Sequence, residues 1–399
     1  MTNEMTTKIA IVGAGTAGVT MAAQLLRKAP YLYNEIVIID PSDKHYYQPF
    51  FTLVGGGDSK LEDNVRPQSE VIPEGANWLQ EAVTTFNPVA NELVTNKGTS
   101  IRYDYLLVAA GIQLDWDKVE GLKETLGKNG VCSNYHQDYV ESTWESMQHV
   151  NDGNVIFTQP SSPVKCAGAP QKIMYLADEY FRKVGVRHRT TIEFISGMDD
   201  LFPVKRYYPV LKQLVKEKEI GERYFFDLVK VDGAKKVATF KNSKTNELLE
   251  RPFAMLHVTP PMSAPKFIAD SPLANEAGWV DLDMYTLRHT RYQNVFGAGD
   301  CTSLPTSRTG AAIRKQAPVA VDNLLAMMNE KEMKATYDGY SSCPVVTGYD
   351  TVMLAEFVYG YEAQESFPID QRKRRHSMHF LKKNMLPMMY WNGMLKGTM

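Results

Sequence analysis

Two glycine-rich turns and four thiols are the residues in this 399-residue chain best suited to chemistry. In Gly13-Ala14-Gly15-Thr16-Ala17-Gly18, Gly13 permits a tight turn and Gly15 lets the backbone approach a pyrophosphate. Gly18 lets a helix close on the preceding strand, and the small Ala17 belongs to the same turn. Asp40, 22 residues after Gly18, is spaced to accept a ribose hydroxyl. The second turn, Asn294-Val-Phe-Gly-Ala-Gly-Asp300, can aim a carboxylate at the ribityl chain of a flavin and a helix N-terminus at its pyrophosphate. The thiols are Cys132, Cys166, Cys301 and Cys343. No CxxC pair and no Cys/His zinc spacing occurs, which argues against a disulfide scaffold and a structural zinc. Each thiol is then either a reactive group or a small apolar residue in a core.

The elements that must hold these residues are readable around them. Residues 8–12 form an apolar strand, 19–28 have helical composition, and 35–39 form a second strand ending at Asp40, a βαβ unit around the first turn. Residues 103–110 make a buried strand that ends at Gly111. Strands are expected at 154–158, 191–195 and 255–259, with a helix over 172–182. Residues 294–296 lead into the second turn. A helix over 310–326 begins at Gly310 and carries a kink or restart at Pro318. The pattern is α/β, with two Rossmann-like dinucleotide-binding domains and a C-terminal membrane-interface segment. The order of glycine turns resembles that of the glutathione-reductase-like flavoproteins and makes FAD the expected cofactor.

Composition narrows the partners. Apolar residues are 44% and charged residues 23%, a soluble-protein balance, and the net charge of −2 gives no field that favours nucleic acid. The short polar N-terminus leaves no room for a signal or transit peptide. No window reaches the ~20 apolar residues of a membrane span, so membrane contact is expected to be peripheral. Residues 371–399 hold no acid. There Arg372, Lys373, Arg374, Arg375, Lys382, Lys383 and Lys396 alternate with methionines and with Phe380, Tyr390 and Trp391. This suits a helix lying in lipid headgroups, broken at Pro387 and Gly393, with Tyr390 and Trp391 at the interface. The alternative is an amphipathic helix packed on the body or on a sister subunit.

Where the middle domain of such flavoproteins carries its own glycine fingerprint for a nicotinamide, this chain has Asn154-Val-Ile-Phe-Thr-Gln-Pro-Ser-Ser-Pro-Val-Lys-Cys166-Ala-Gly-Ala-Pro. Pro160 and Pro163 lack the N–H groups a phosphate cradle needs. A small donor acting through a thiol fits better than NADH.

Almost the whole chain, residues 8–399, resembles the mitochondrial-like sulfide:quinone oxidoreductases. The resemblance rests on His45-Tyr-Tyr-Gln48-Pro-Phe-Phe-Thr-Leu-Val-Gly55, Pro163-Val-Lys-Cys166-Ala-Gly-Ala-Pro-Gln-Lys172, Met255-Leu-His-Val-Thr-Pro-Pro-Met262, Gly299-Asp300-Cys301-Thr-Ser-Leu-Pro-Thr306 and Tyr337-Asp-Gly-Tyr-Ser-Ser-Cys343-Pro-Val-Val-Thr-Gly-Tyr349. It implies that Cys166 and Cys343 are the redox pair beside FAD. Sulfide attacks the oxidised pair, Cys343 carries the persulfide, and electrons leave through FAD to a membrane quinone. Sulfite, a small thiol or more sulfide takes the sulfur. Cys132 and Cys301 are then structural, Lys165 and Lys172 are candidates to lower a thiol pKa, and His45 is a packed or capping residue. Gln48, Val83 and Gly310 match family positions that contact the flavin, as do Asp40 and Gly18.

The implied layout is an FAD domain of residues 1–145 and 291–336, a second Rossmann-like domain of 146–290 carrying Cys166, and a segment of 337–399 with Cys343 and the membrane-docking tail. It makes the protein peripheral, on the cytoplasmic face of a bacterial membrane or on the inner mitochondrial membrane, and leaves room for a homo-oligomer. The rivals are an NADH:quinone oxidoreductase, which needs the missing second fingerprint, a flavoprotein subunit that reduces a cytochrome, and a flavin-bound sulfide sensor.

Overall fold

The computed structural model describes residues 3–399. Its first sheet contains β1 (Glu4–Val12), β2 (Ile36–Ile39), β3 (Ala76–Leu79), β4 (Val83–Asn87), β5 (Glu92–Thr95) and β6 (Ser100–Val108), in the order β3-β2-β1-β6-β5-β4. β1 lies parallel to both β2 and β6, and residues 9–12 and 36–39 are buried without alternation. That is the signature of parallel strands covered on both faces. Helix α1 (Thr16–Lys28) covers one face, with every residue from Ala17 to Leu25 buried.

The second sheet contains β7 (Val131–Cys132), β8 (Gly153–Gln159), β9 (Thr190–Ser196), β10 (Gly221–Arg223) and β11 (Met255–His257), in the order β7-β11-β8-β9-β10, all parallel. Helix α2 (Ala169–Lys183) follows β8 and buries Ile173, Met174, Leu176, Ala177 and Phe181. An antiparallel meander over 226–252 extends this unit. The chain then returns to the first sheet, where β12 (Val295–Gly297) pairs with β6. Helix α3 (Gly310–Met328) runs through Pro318 as one element, in place of the restart the proline allows. Ala317, Ala320, Val321 and Leu324 are buried around it, and that packing offsets the lost hydrogen bond.

The boundaries suggested at 146 and 290 are crossed from both sides. β7 lies before residue 146 yet pairs in the second sheet, and Val119, Leu122 and Leu126 pack with Ile156, Phe240 and Leu256. Ile268, Leu273, Trp279 and Val280 lie before 290 yet join the first core. A two-residue strand carries no readable period, so its sheet is decided by packing.

The last third joins the units. β13 (Ser341–Val346) and β14 (Val352–Phe357) form a hairpin whose faces alternate. Cys343, Val345, Met353, Ala355 and Phe357 enter the core of the second unit, while Val346, Val352 and Leu354 enter that of the first. The tail consists of α4 (His376–Phe380), a π-helical turn over Leu381–Met385, and α5 (Leu386–Asn392), which carries Pro387 in its first turn and ends at Gly393.

Close helix–strand packing at the first turn gives a test. A Cβ on Gly18 would lie 1.8 Å from the Gly13 carbonyl oxygen, which is rigid backbone. Gly18→Ala should therefore destabilise the fold by ~1–3 kcal/mol, read as a lowered urea midpoint. An unchanged midpoint would mean that α1 can shift freely.

Candidate active site

Cys166 sits in the loop between β8 and α2, where its backbone is tied to other segments. Lys165 N donates to Met262 Sδ at 3.3 Å, Cys166 N to the Arg308 carbonyl at 2.8 Å, and Ala169 N to the Cys166 carbonyl at 2.8 Å. Held this way, Cys166 adopts a left-handed φ of 51°, a strained conformation for a residue with a Cβ. Cys343 arrives from β13. Its sulfur lies so close over Gly168 that a Cβ there would be 2.5 Å from Sγ. Thiols 177 positions apart thus share one pocket.

Lys172, buried on α2, places Nζ 3.2 Å from Cys166 Sγ. Cys166 is held well below the ordinary thiol range: the Cys343 thiol donates to it, and the charge and hydrogen bond of Lys172, with the charge of Lys382, outweigh burial. Cys343, the donor in that contact and itself buried, is pushed well above it. The pair therefore loses its first proton readily and its second with difficulty. Burial opposes the charge on Lys172, but the two sulfurs more than offset this and hold it above the usual lysine value.

Lys382, from the π-helical turn of the tail, is a second buried cation. Its ammonium donates to the Pro49 carbonyl at 2.7 Å and lies 5.2 Å from the Phe50 ring centre. Burial and the charge of Lys172 push it down to about 7. Nothing in its sequence context marks it as a site residue. A lysine in an apolar stretch is the only trace it leaves there.

Of the two cations named from the sequence, Lys172 meets the thiols. Lys165 instead donates to Gln48 Oε1 at 2.9 Å and faces Asp300. Burial moves Lys165 down to about 8, and Asp300 partly offsets it. Lys165, Cys166 and Asp300 are half-buried. The Asp300 carboxylate makes no hydrogen bond among the described residues, and burial raises its pKa against the charges of Arg308 and Lys165.

The glycine turns meet at the carboxyl edge of the first sheet. Gly13 has φ 104° under the Ala109 carbonyl, and Gly299 stands over the Ala17 methyl, at 3.4 Å from a built Cβ. Gly15 precedes α1; among the described residues no side chain caps that helix and nothing lies within 4 Å of a Cβ built there. Free N–H donors thus face open space, as a pyrophosphate requires. Gly111 and Gly310 border open space as well. Asp40 braces the turn itself: its carboxylate accepts from Ala14 N at 2.7 Å and Ser42 N at 2.8 Å, and burial raises its pKa. Val83 begins β4 with its side chain in the first core, so whatever it offers a ligand is backbone. The uncapped helix and the unpartnered Asp300 fit an adenine dinucleotide flavin.

The remaining residues have structural positions. Cys132 and Cys301 are buried, hydrogen-bond to the carbonyls of Leu256 and Val108, and are pushed up by burial to about 12. His45 is buried, with Nδ1 3.2 Å from the Ala14 carbonyl and Nε2 2.6 Å from Tyr390 Oη. Burial lowers it to about 4, so the neutral ring donates to Ala14 and accepts from Tyr390. Tyr390 and Trp391 correct the expectation of an interfacial pair. Both turn inward, Tyr390 onto Tyr47 and Thr16, Trp391 beneath the Arg66 guanidinium. Phe380, Met385 and Met388 are the exposed apolar side chains of the tail.

Residues 7–154 match the family described as pyridine nucleotide-disulphide oxidoreductase. The chain is 47% identical, over 98% of its length and 86% of the relative's, to the mitochondrial sulfide:quinone oxidoreductase of Dictyostelium discoideum. It is 44% identical to that of Mus musculus, again over 98% of this chain and 86% of the relative. The X-ray structure of the sulfide:quinone oxidoreductase from Aquifex aeolicus shares the fold, with a TM-score of 0.85 at 19% identity over 98% of this chain and 92% of that one.

The cation beside Cys166 predicts a pH dependence. The folded-state thiol pKa is depressed, so the thiolate persists as pH falls below the ordinary thiol range. Lys172→Met should move the pH midpoint of iodoacetamide labelling at Cys166 upward by more than one unit and slow labelling at pH 7 at least ~10-fold. Superimposable labelling profiles would remove Lys172 from thiol activation.

Proposed function

The chain belongs to the sulfide:quinone oxidoreductase family, and from that premise we propose that Cys166 and Cys343 carry the sulfur chemistry. The protein is an FAD-dependent enzyme that oxidises sulfide with a quinone as electron acceptor. The observation that carries the assignment is the buried Lys172 ammonium 3.2 Å from the Cys166 sulfur, with Cys343 in the same pocket.

Starting from the disulfide form, hydrosulfide attacks Cys343 Sγ. The S–S bond breaks, its electron pair leaves on Cys166 as a thiolate, and Cys343 holds S–SH. Lys172 stabilises that leaving thiolate, and the adjacent Lys382, poised near neutrality, can hold or release a proton. A nucleophilic acceptor then takes the outer sulfur and leaves Cys343 as a thiol. The acceptor's class is sulfite, a small thiol or sulfide itself. As the pair closes again it gives up two electrons and one proton. The chemistry FAD supplies when bound is a two-electron relay from the sulfur pair to the quinone. Gly13, Gly15, Ala17, Gly18, Asp40, Gly111, Asp300 and Gly310 would hold it, with Gln48 and the backbone of Val83.

The tail supports peripheral attachment to the membrane that carries the quinone. No helix among the described residues is long and apolar enough to cross a bilayer. Phe380, Met385 and Met388 are exposed, and the same tail exposes the cations Arg372, Lys373 and Arg374, of which Arg372 pairs with Asp370 and Arg374 with Glu217; exposed apolar side chains with cations in one segment suit anionic headgroups.

Sulfide-dependent reduction of a soluble quinone tests the thiol assignment. Cys166→Ser and Cys343→Ser should each lose at least ~100-fold in rate while keeping FAD bound. Full turnover in either variant would take that cysteine out of the reaction. For the tail, the triple variant Phe380→Ser, Met385→Ser, Met388→Ser should leave anionic vesicles in a flotation gradient while retaining FAD. Unchanged flotation would reject this face as the lipid contact.

A further inference from the structure

In open α/β sheets, ligands bind beyond the carboxyl ends of the strands. Three adjacent strands of the second sheet, β7, β11 and β8, run at that edge into Tyr135, Thr259 and Gln159. Thr259 N donates to Thr158 Oγ1 at 3.1 Å, which brings the ends of β11 and β8 together. The three side chains are 3%, 2% and 7% exposed. The Tyr135 and Thr259 hydroxyls lie within reach of each other, yet Tyr135 Oη, Thr259 Oγ1 and Gln159 Oε1 make no hydrogen bond of good geometry among the described residues. Buried polar groups are paired as a rule, so three orphans at one sheet edge call for a ligand. The loop after β8 carries Cys166, and Tyr135 belongs to the apolar cluster against which Cys166 packs. A negative charge on either sulfur, Cys166 or Cys343, acts on the Tyr135 hydroxyl.

We propose that Tyr135, Thr259 and Gln159 form a hydrosulfide subsite beside the cysteine pair. The two hydroxyls donate to the sulfur lone pairs and the Gln159 carbonyl accepts the S–H. During attack the proton stays on the incoming sulfur, which becomes the outer S–H of the persulfide, so Gln159 keeps its donor throughout. The edge that receives a nicotinamide in a two-nucleotide flavoprotein is thereby turned to a triatomic contact for a diatomic anion. The inference rests on the reading of Cys166 and Cys343 as the sulfide-oxidising centre.

Anaerobic stopped-flow mixing of the FAD-loaded enzyme with sulfide tests it, using wild type, Tyr135→Phe, Thr259→Val and Thr259→Ser. Tyr135→Phe and Thr259→Val should each raise the sulfide concentration for half-maximal flavin bleaching about 10-fold. The reoxidation rate by soluble quinone should stay the same, and Thr259→Ser, which keeps the hydroxyl, should behave as wild type. An unchanged sulfide dependence in both hydroxyl deletions would mean that the orphans serve only a buried water, and would overturn the subsite. A uniform loss in bleaching, reoxidation and thermal midpoint, with Thr259→Ser included, would mark a packing role and overturn it too. A wild type that sulfide does not bleach would remove the cysteine-pair reading and the subsite together. Bleaching in wild type with unshifted curves in both hydroxyl deletions would remove the subsite alone.

Discussion

An ammonium taken out of water is stable only beside negative charge, and the Cys166 sulfur lies 3.2 Å from Lys172 Nζ. The benefit is mutual. The cation keeps the thiol ionised, and the thiolate keeps the lysine charged although it is buried on α2. Removing either partner leaves the other as an uncompensated buried charge. The rest of the site can be understood as what holds these two atoms in place. α2 fixes Lys172 through its apolar face, and the Arg308 carbonyl fixes Cys166 in a left-handed backbone it would not adopt alone.

Cys343 is brought to that pair by a different kind of constraint. The β13–β14 hairpin presents alternate residues to two cores, so its register cannot slip by one without exchanging Cys343 and Val345 for the neighbours that face the first unit. Gly168 then sets how near the sulfur comes, because any side chain there would occupy the space Cys343 Sγ already fills. The geometry of the pair thus depends on packing between units rather than on local chain stiffness.

The tail links chemistry and attachment through opposite faces. Inward, Lys382 donates to the Pro49 carbonyl while its charge acts on Cys166 and Lys172, and Tyr390 joins His45 and Thr16 beside the first glycine turn. Outward, Phe380, Met385 and Met388 stand exposed. A regular amphipathic stripe does not describe this segment, because the π-helical turn over Leu381–Met385 inserts an extra residue and shifts the apolar face partway along. Tyr390 and Trp391 look interfacial by type, yet they fill the aromatic cluster around Tyr47, where more apolar surface is removed from water.

What the sequence determines by itself is whatever neighbours in the chain decide. The strand–turn–helix around Gly13 and Gly18, the place of Asp40 at the end of the second strand, the strand ending in Gly299 and Asp300, and the prolines that spoil a second phosphate cradle all follow from short-range sterics and hydrogen bonding. The resemblance adds which two thiols to pair. Tertiary structure alone decided that Lys172 rather than Lys165 sits on Cys166, that the charge of Lys382 acts on the same sulfur from far along the chain, and that β7 belongs to the second sheet. Those outcomes depend on which buried surfaces and charges meet once the units close on each other, and no local propensity encodes that.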